Sequence, residues 1–266
     1  MCGIAGIFHP RGNGPVSPEI VTRMVSIQGH RGPDETGVYV DDRAGLGHAR
    51  LSIIDLAGGN QPMCNEDGSL WITYNGEIFN YIELSEELRG KGHRFRTSSD
   101  TEAILHLYED LGNECLSRLN GQFAFAIWDS TKGILFLARD RMGIRPLHYA
   151  FDGSSLVFAS EIKGIFAAEG IPRRIDPVVL DQIFTFWSPL PGYTPFRGIR
   201  ELPPGHYLLA GASGIGIGKY WDLADSLREA EGSVESLSEA AEEVAALLLD
   251  ATRIRLRADV PVGAYL

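Results

Sequence analysis

The second residue of this chain is a cysteine that follows the initiator methionine. Cysteine is small enough for that methionine to be removed, which would leave Cys2 carrying a thiol and a free α-amine. Their reference pKa values, about 8.5 and about 7.7–8.0, let the amine accept the thiol proton near neutral pH. Nucleophile and base would then be one residue. Gly3 and Gly6 allow other backbone to approach closely. On Cys2 alone, an inert cysteine near a flexible start remains the alternative. Other residues carry chemistry further along. Arg50 offers a guanidinium fork suited to a carboxylate, or is a surface arginine at a strand end. Asn75-Gly76 offers a side-chain N–H and a backbone N–H that can meet at a developing oxyanion. The same dipeptide is also a common hairpin turn. Glu77 and Asp100 are acids that suit a cationic group, although Asp100 sits inside a helix-start signature. No histidine pair has metal-ligand spacing, and Cys64 and Cys115 read as ordinary thiols.

These residues need elements to place them, and the first half of the chain alternates strand-like and helix-like stretches. Ile4 to Phe8 is a short apolar run. Ser17-Pro18-Glu19 supplies an N-cap, a proline at N1 and an acid in the first turn, predicting a helix to about Gln28. Leu46 to Ile54 and Leu70 to Tyr74 read as strands. Asn80 to Arg89 reads as a helix closed by Gly90. Ser99 to Glu102 is a capping box opening a helix that Gly112 ends. Phe123 to Asp129 and Ile134 to Asp140 form a hairpin signal, and Leu147 to Phe151 with Leu156 to Ser160 another. Gly214-x-Gly216-x-Gly218 lacks the strand-then-helix context of a nucleotide fingerprint and reads as a loop or hairpin turn. Ala224 to Ser236 is polar and acidic and reads as a linker. Ser236 and Glu239 cap a further helix, and Asp259 onward begins a strand. This gives one domain over residues 1–222, with 223–266 a linker and the cut start of a second domain.

Composition sets the class. In 266 residues, 44% are hydrophobic and 22% charged, which is globular and not disordered. No apolar run approaches the roughly 18 residues of a membrane span. A net charge of −11 argues against a nucleic-acid-binding surface. Three cysteines and no signal peptide point to a reducing cytoplasm.

Met1-Cys-Gly-Ile-Ala-Gly-Ile-Phe8 resembles the start of the class II glutamine amidotransferases, which are N-terminal-nucleophile hydrolases. Further segments match in order: His30-Arg-Gly-Pro-Asp34, Gly47-His-Ala-Arg-Leu-Ser-Ile-Ile54, Tyr74-Asn-Gly-Glu-Ile-Phe-Asn80 and Ser99-Asp-Thr-Glu102. Gly121 to Ala126, Ala138 to Leu147, Ala159 to Lys163 and Leu202 to Gly205 follow. The ordered set resembles the glutamine-hydrolysing asparagine synthetases. Ala258 to Leu266 resembles the lead-in to that family's second domain, just before its ATP pyrophosphate loop.

The resemblance implies an α+β fold, a four-layer α/β/β/α sandwich of two mainly antiparallel sheets flanked by helices. It implies Cys2 as nucleophile and Asn75 and Gly76 as oxyanion donors. Arg50 would hold the substrate carboxylate, Leu51, Ser52, Ile53 and Ile54 the same wall, and Glu77 and Asp100 the ammonium. The Arg31 to Asp34 loop would position the nucleophile. His30, His48 and His148 lie inside the motifs without an assigned role. The implied reaction converts glutamine to glutamate and ammonia through a Cys2 thioester, without a metal or cofactor. Ammonia would pass to a synthetase domain that uses ATP and Mg²⁺ to make asparagine from aspartate. The implied partners are glutamine, that domain and a second copy of the chain in a homodimer. An enzyme of the same kind with another acceptor, or a non-catalytic regulatory domain, are the alternatives.

Overall fold

The computed structural model describes residues 1–12, 14–229 and 236–263. In chain order the elements are β1 (Gly3–Phe8), α1 (Pro18–Ser26), β2 (Glu35–Val40), β3 (Ala44–Arg50), β4 (Met63–Cys64) and β5 (Leu70–Ile78). Next come α2 (Tyr81–Gly90), α3 (Asp100–Leu111), β6 (Gly121–Asp129), β7 (Ile134–Arg139), β8 (His148–Phe151), β9 (Leu156–Ala159) and α4 (Ile162–Ala167). α5 (Pro177–Phe186), β10 (Ile199–Glu201), β11 (His206–Gly211), β12 (Gly214–Lys219), α6 (Leu223–Glu229) and α7 (Leu237–Arg255) complete the described chain.

Two six-stranded antiparallel sheets result, one ordered β10-β8-β9-β1-β3-β2 and the other β12-β11-β7-β6-β5-β4. Alternation along each strand sorts side chains between layers. In β1, Ile4 and Phe8 enter the core between the sheets, while Ala5 and Ile7 face α1 and α4. In β5, Ile72, Tyr74 and Ile78 pack under α2 and α3. The three cores make four layers, α/β/β/α, as the resemblance implied. Glycines let β3 meet α1 closely: a Cβ at Gly47 would lie 2.3 Å from Val25 Cγ2.

Local signals hold where the chain caps itself. Ser17 Oγ accepts from Ile20 N–H, Ser99 Oγ from Thr101 N–H and Ser236 Oγ from Glu239 N–H. The structure also corrects the sequence reading. β3 ends at Arg50, and residues 51–54 form irregular wall instead of strand. β5 runs on through Asn75-Gly76 to Ile78, so that dipeptide is not a turn. α2 includes Gly90, and Gly92, at φ +105°, makes the turn out of it. The 224–229 part of the expected linker is helical, because Asp222 Oδ1 caps α6 by accepting from Ala224 N–H at 2.8 Å. Residues 230–235 of that linker lie outside the described residues. No strand forms over 259–263, and 264–266 also lie outside them. Gly211 to Gly218 closes the β11–β12 hairpin.

Candidate active site

Cys2, His48, Arg50, Asn75 and Glu77 come from three strand segments that are distant in sequence. The sandwich turns all five toward the space between its sheets, at one end. There they line a cavity with Leu51, Ile53, Ile54, Asp100 and Thr101, enclosing about 460 Å³ of space including its mouth. Of the residues expected at the substrate wall, Ser52 is not among the lining. Its N–H donates to Asp34 Oδ2 at 2.8 Å and ties that wall to the loop beside it.

The Cys2 thiol sits against the Leu51 backbone, with Leu51 N–H donating to Sγ at 3.3 Å and Sγ 3.6 Å from Leu51 O. Burial pushes the thiol pKa up, opposed by the Leu51 N–H and the nearby α-ammonium. A thiol so placed stays protonated at neutral pH unless a base takes its proton. In the chain as encoded the α-amine belongs to Met1, and burial lowers its pKa. Arg31 Nε donates to Cys2 O at 2.9 Å and its Nη1 reaches Glu161 at 3.0 Å, so the arginine loop clamps the nucleophile's backbone.

The outer edge of β5 supplies donors. Opposite Gly76, Phe123 turns both backbone groups to Asp140: its N–H donates to Oδ2 at 3.2 Å and its carbonyl accepts from Asp140 N–H at 2.8 Å. Facing residues in an antiparallel ladder either exchange hydrogen bonds or both turn away. Gly76 N–H therefore points off the edge of β5. Its neighbours in that row are occupied, Tyr74 N–H by Gln61 Oε1 at 2.6 Å and Ile78 N–H by Asp100 Oδ2 at 2.9 Å. Between them Gly76 N–H opens on the cavity. The Asn75 side chain is 1% exposed, and neither Oδ1 nor Nδ2 has a hydrogen-bond partner among the described residues. A buried amide with both ends unbonded costs free energy unless a ligand completes it.

Arg50 is buried and its guanidinium braces the loop after β3. It donates to Asn60 Oδ1 at 2.5 Å, Asp55 O at 2.6 Å and Leu56 O at 3.3 Å, and lies 3.5 Å from Glu35. Asp100 opens α3 beneath the cavity. Its Oδ2 accepts from Tyr74 Oη at 2.8 Å as well as from Ile78 N–H, and burial raises its pKa to about 6. Oδ1 meets Ser99 Oγ at 3.5 Å, and the carboxyl borders the cavity, where a cation could approach it. Glu77 Oε1 stands 3.7 Å from Arg145 Nη2. His48 Nε2 pairs with Tyr74 O at 3.0 Å, and burial lowers its pKa to about 3, so it is neutral. Its proton therefore sits on Nε2, which fixes the strand carrying Asn75 and disqualifies the ring as a base near neutral pH.

Gln61, Tyr74, Thr101 and Arg145 also line the cavity and had no assigned role from sequence. Tyr74 and Arg145 fall inside matched motifs. Gln61 carried no signal, because its task of occupying one edge N–H depends on a strand register.

The family model described as a glutamine amidotransferase domain matches residues 1–221. Glutamine-hydrolysing asparagine synthetase 3 of Bacillus subtilis strain 168 is 39% identical over 269 residues, covering all of this chain and 43% of its own length. Glutamine-hydrolysing asparagine synthetase B of Escherichia coli K12 is 33% identical, again over all of this chain and 42% of its own. The chain thus spans less than half the length of these relatives. Among solved structures, the glutamine phosphoribosylpyrophosphate amidotransferase of B. subtilis superposes with a TM-score of 0.61 at 23% identity. That match covers 83% of this chain and 49% of the other, and shows a shared fold.

Proposed function

The chain belongs to the glutamine amidotransferase domain family, and on that premise we propose that this cavity hydrolyses glutamine through Cys2 once Met1 is removed. The α-amine of Cys2 takes the thiol proton and Sγ attacks the side-chain amide carbon of glutamine. Asn75 Nδ2 and Gly76 N–H stabilise the oxyanion that forms. The amine returns its proton to the departing nitrogen, ammonia leaves, and a γ-glutamyl thioester remains on Sγ. Water, deprotonated by the same amine, attacks the thioester and releases glutamate. Arg50 binds the α-carboxylate, Asp100 and Glu77 the α-ammonium, and Leu51, Ile53 and Ile54 form the wall. Ser52 acts through its bond to Asp34, not through substrate.

The observation that carries this reading is the paired donor site on β5: a buried amide without partners among the described residues, beside a backbone N–H turned away from β6. The test compares ammonia release by the chain with a free Cys2 amine, verified by intact mass, against one bearing an N-terminal extension. The extension should abolish activity, and so should Cys2→Ala. Equal rates with and without the extension would overturn the mechanism.

In the whole protein the ammonia would serve ATP-dependent synthesis of asparagine from aspartate, as the names of the relatives indicate for those proteins. ATP and Mg²⁺ would belong to that synthetase reaction and not to the glutamine cavity. The glycine-rich segment Gly214 to Gly218 belongs to the β11–β12 hairpin, not to a strand-to-helix phosphate loop. Addition of aspartate and ATP to this chain alone should therefore yield no pyrophosphate.

A further inference from the structure

Toward the C-terminal half of α3, beyond the end that lines the cavity, the fold gathers groups that the glutamine reaction does not use. His93, from the loop after α2, and His106, on α3, are thirteen residues apart, and no short-spacing motif links them. The structure brings their Nδ1 atoms to one carboxylate. Glu109 Oε2 lies 2.6 Å from His106 Nδ1 and 3.4 Å from His93 Nδ1. Glu66 Oε2, from the turn between β4 and β5, stands 3.7 Å from His106 Nδ1. Ligand atoms of Glu66, His93 and His106 all lie within 4.8 Å of one another.

One of the two rings is oriented as metal-ligating histidines are. Such a ligand generally turns its second ring N–H to a carboxylate, which leaves the other nitrogen bare for the metal. Here His93 Nε2 meets Asp110 Oδ1 at 3.0 Å, whereas His106 Nε2 has no hydrogen-bond partner among the described residues and Glu102 Oε1 lies 3.8 Å away. The carboxylates are oriented as well. Glu109 Oε1 accepts from Asn65 Nδ2 at 2.7 Å and Glu66 Oε1 from Arg94 N–H at 3.2 Å. A tetrahedral zinc ion bound at about 2.0–2.1 Å holds its ligand atoms about 3.3 Å apart. The three carboxylate-to-ring separations, 2.6, 3.4 and 3.7 Å, lie around that value, and the atoms of Glu66, His93 and His106, within 4.8 Å of one another, would draw in on the ion.

We propose that Glu66, His93, His106 and Glu109 bind a zinc ion that pins α3 to the two loops packed beside it. The donor set is two imidazole nitrogens and two carboxylate oxygens, which suits zinc and disfavours the all-oxygen cations calcium and magnesium. The ion would take the place of the proton shared between His106 Nδ1 and Glu109 Oε2 and would widen that contact. The carboxylates of Glu66, Glu102 and Glu109 stand around the two rings and favour a cation there. The role is structural: α3 carries Asp100 at its other end, and the ion would hold that helix without touching substrate.

The test uses the Cys2→Ala chain, which removes the N-terminal thiol as a competing zinc ligand. Equilibrium dialysis against zinc chloride should leave about one zinc per chain, and zinc should raise Tm. Glu66→Gln, at an exposed position, and His93→Gln, at a partly buried one, should each weaken zinc binding by more than about tenfold, and in Glu66→Gln the metal-free Tm should stay close to that of the parent. Cobalt(II) in the same site should show tetrahedral d–d absorption without a thiolate charge-transfer band. Zinc affinity unchanged in both variants, no stoichiometric binding, or a thiolate band from Cys64 or Cys115 would each overturn the assignment.

Discussion

Asn75 presents an amide that none of the described residues satisfies, and Asp100 a carboxyl whose pKa burial raises. Each has its own measurable consequence. Replacing Asn75 by alanine deletes a donor needed most when the carbonyl oxygen gains charge, so kcat should fall by roughly 10²–10³ with KM changed little. Because the side chain has no partner to lose, Tm should hold or rise. A fall in Tm with proportionate loss in kcat and KM would instead mark Asn75 as a packing residue. For Asp100 the folded pKa of about 6 lies above the usual 3.8. Folding therefore favours the protonated form, and ionisation of Asp100 costs stability as pH rises from near 4 through 6. Asp100→Asn should keep or raise Tm at pH 7.5 while raising KM for glutamine, because the ammonium loses its counter-charge. In the parent chain KM should climb as pH falls below about 6, and this climb should be absent in Asp100→Asn. A flat KM in both across that range would remove Asp100 from the ammonium site. The types of these residues were readable from the chain. Their unbonded state was not, since it depends on which backbone groups the neighbouring strands already occupy.

Strand β5 and the loop after β3 are the elements on which the cavity depends. A Cβ at Gly76 would lie 2.3 Å from Gln122 O and 2.6 Å from Tyr74 Cε2. Gly76→Ala should thus push β5 off β6, at about 1–3 kcal/mol of stability, and displace the N–H it presents. Denaturant melts beside kinetics should show both losses together, whereas an unchanged midpoint would mean the contact relaxes freely. The wall loop is held from two sides. Arg50 grips it from within, and Asp259 from without, with Asp259 N–H donating to Ile53 O at 2.9 Å and Asp55 N–H to Asp259 Oδ2 at 2.7 Å. Asp259→Ala should raise KM by about two- to twelvefold, the worth of one hydrogen bond of about 0.5–1.5 kcal/mol, with kcat unchanged. An unaltered KM would show that Arg50 suffices to hold the wall. The Asn75-Gly76 reading as either turn or oxyanion pair was open in the sequence because local preference is the same for both. Pairing with β6 over the full length of β5 excludes the turn.

Across the whole molecule, the packed layers end before α7. None of its described residues is buried, and Val244, Leu247, Leu248 and Leu249 all stand exposed. Beyond it, Arg257 pairs with Glu83 at 2.6 and 2.7 Å, so the segment returns to the body next to the cavity wall. A helix without buried contacts opens at little free-energy cost. Limited proteolysis should therefore cut first within residues 237–255, leaving a resistant fragment that contains residues 1–222. Early cuts inside that fragment, with α7 spared, would contradict this. No described helix is long and apolar enough to cross a membrane.

What the chain determined by itself lies close along it. Caps at Ser17, Ser99 and Ser236, the alternation of β6 and β7, and a cysteine placed to become the first residue depend on neighbours within a few positions. These signals survive without tertiary context, and together with the ordered motifs they indicated the fold and the nucleophile. They did not show that β5 continues past Asn75, that Gln61 and Asp100 occupy the N–H groups on either side of Gly76, or that His93 and His106 converge on Glu109. Each of those depends on sheet register and helix docking between segments far apart in sequence. Local propensity carries no information about such distances, and only the packed layers bring the groups within hydrogen-bond or ligand range.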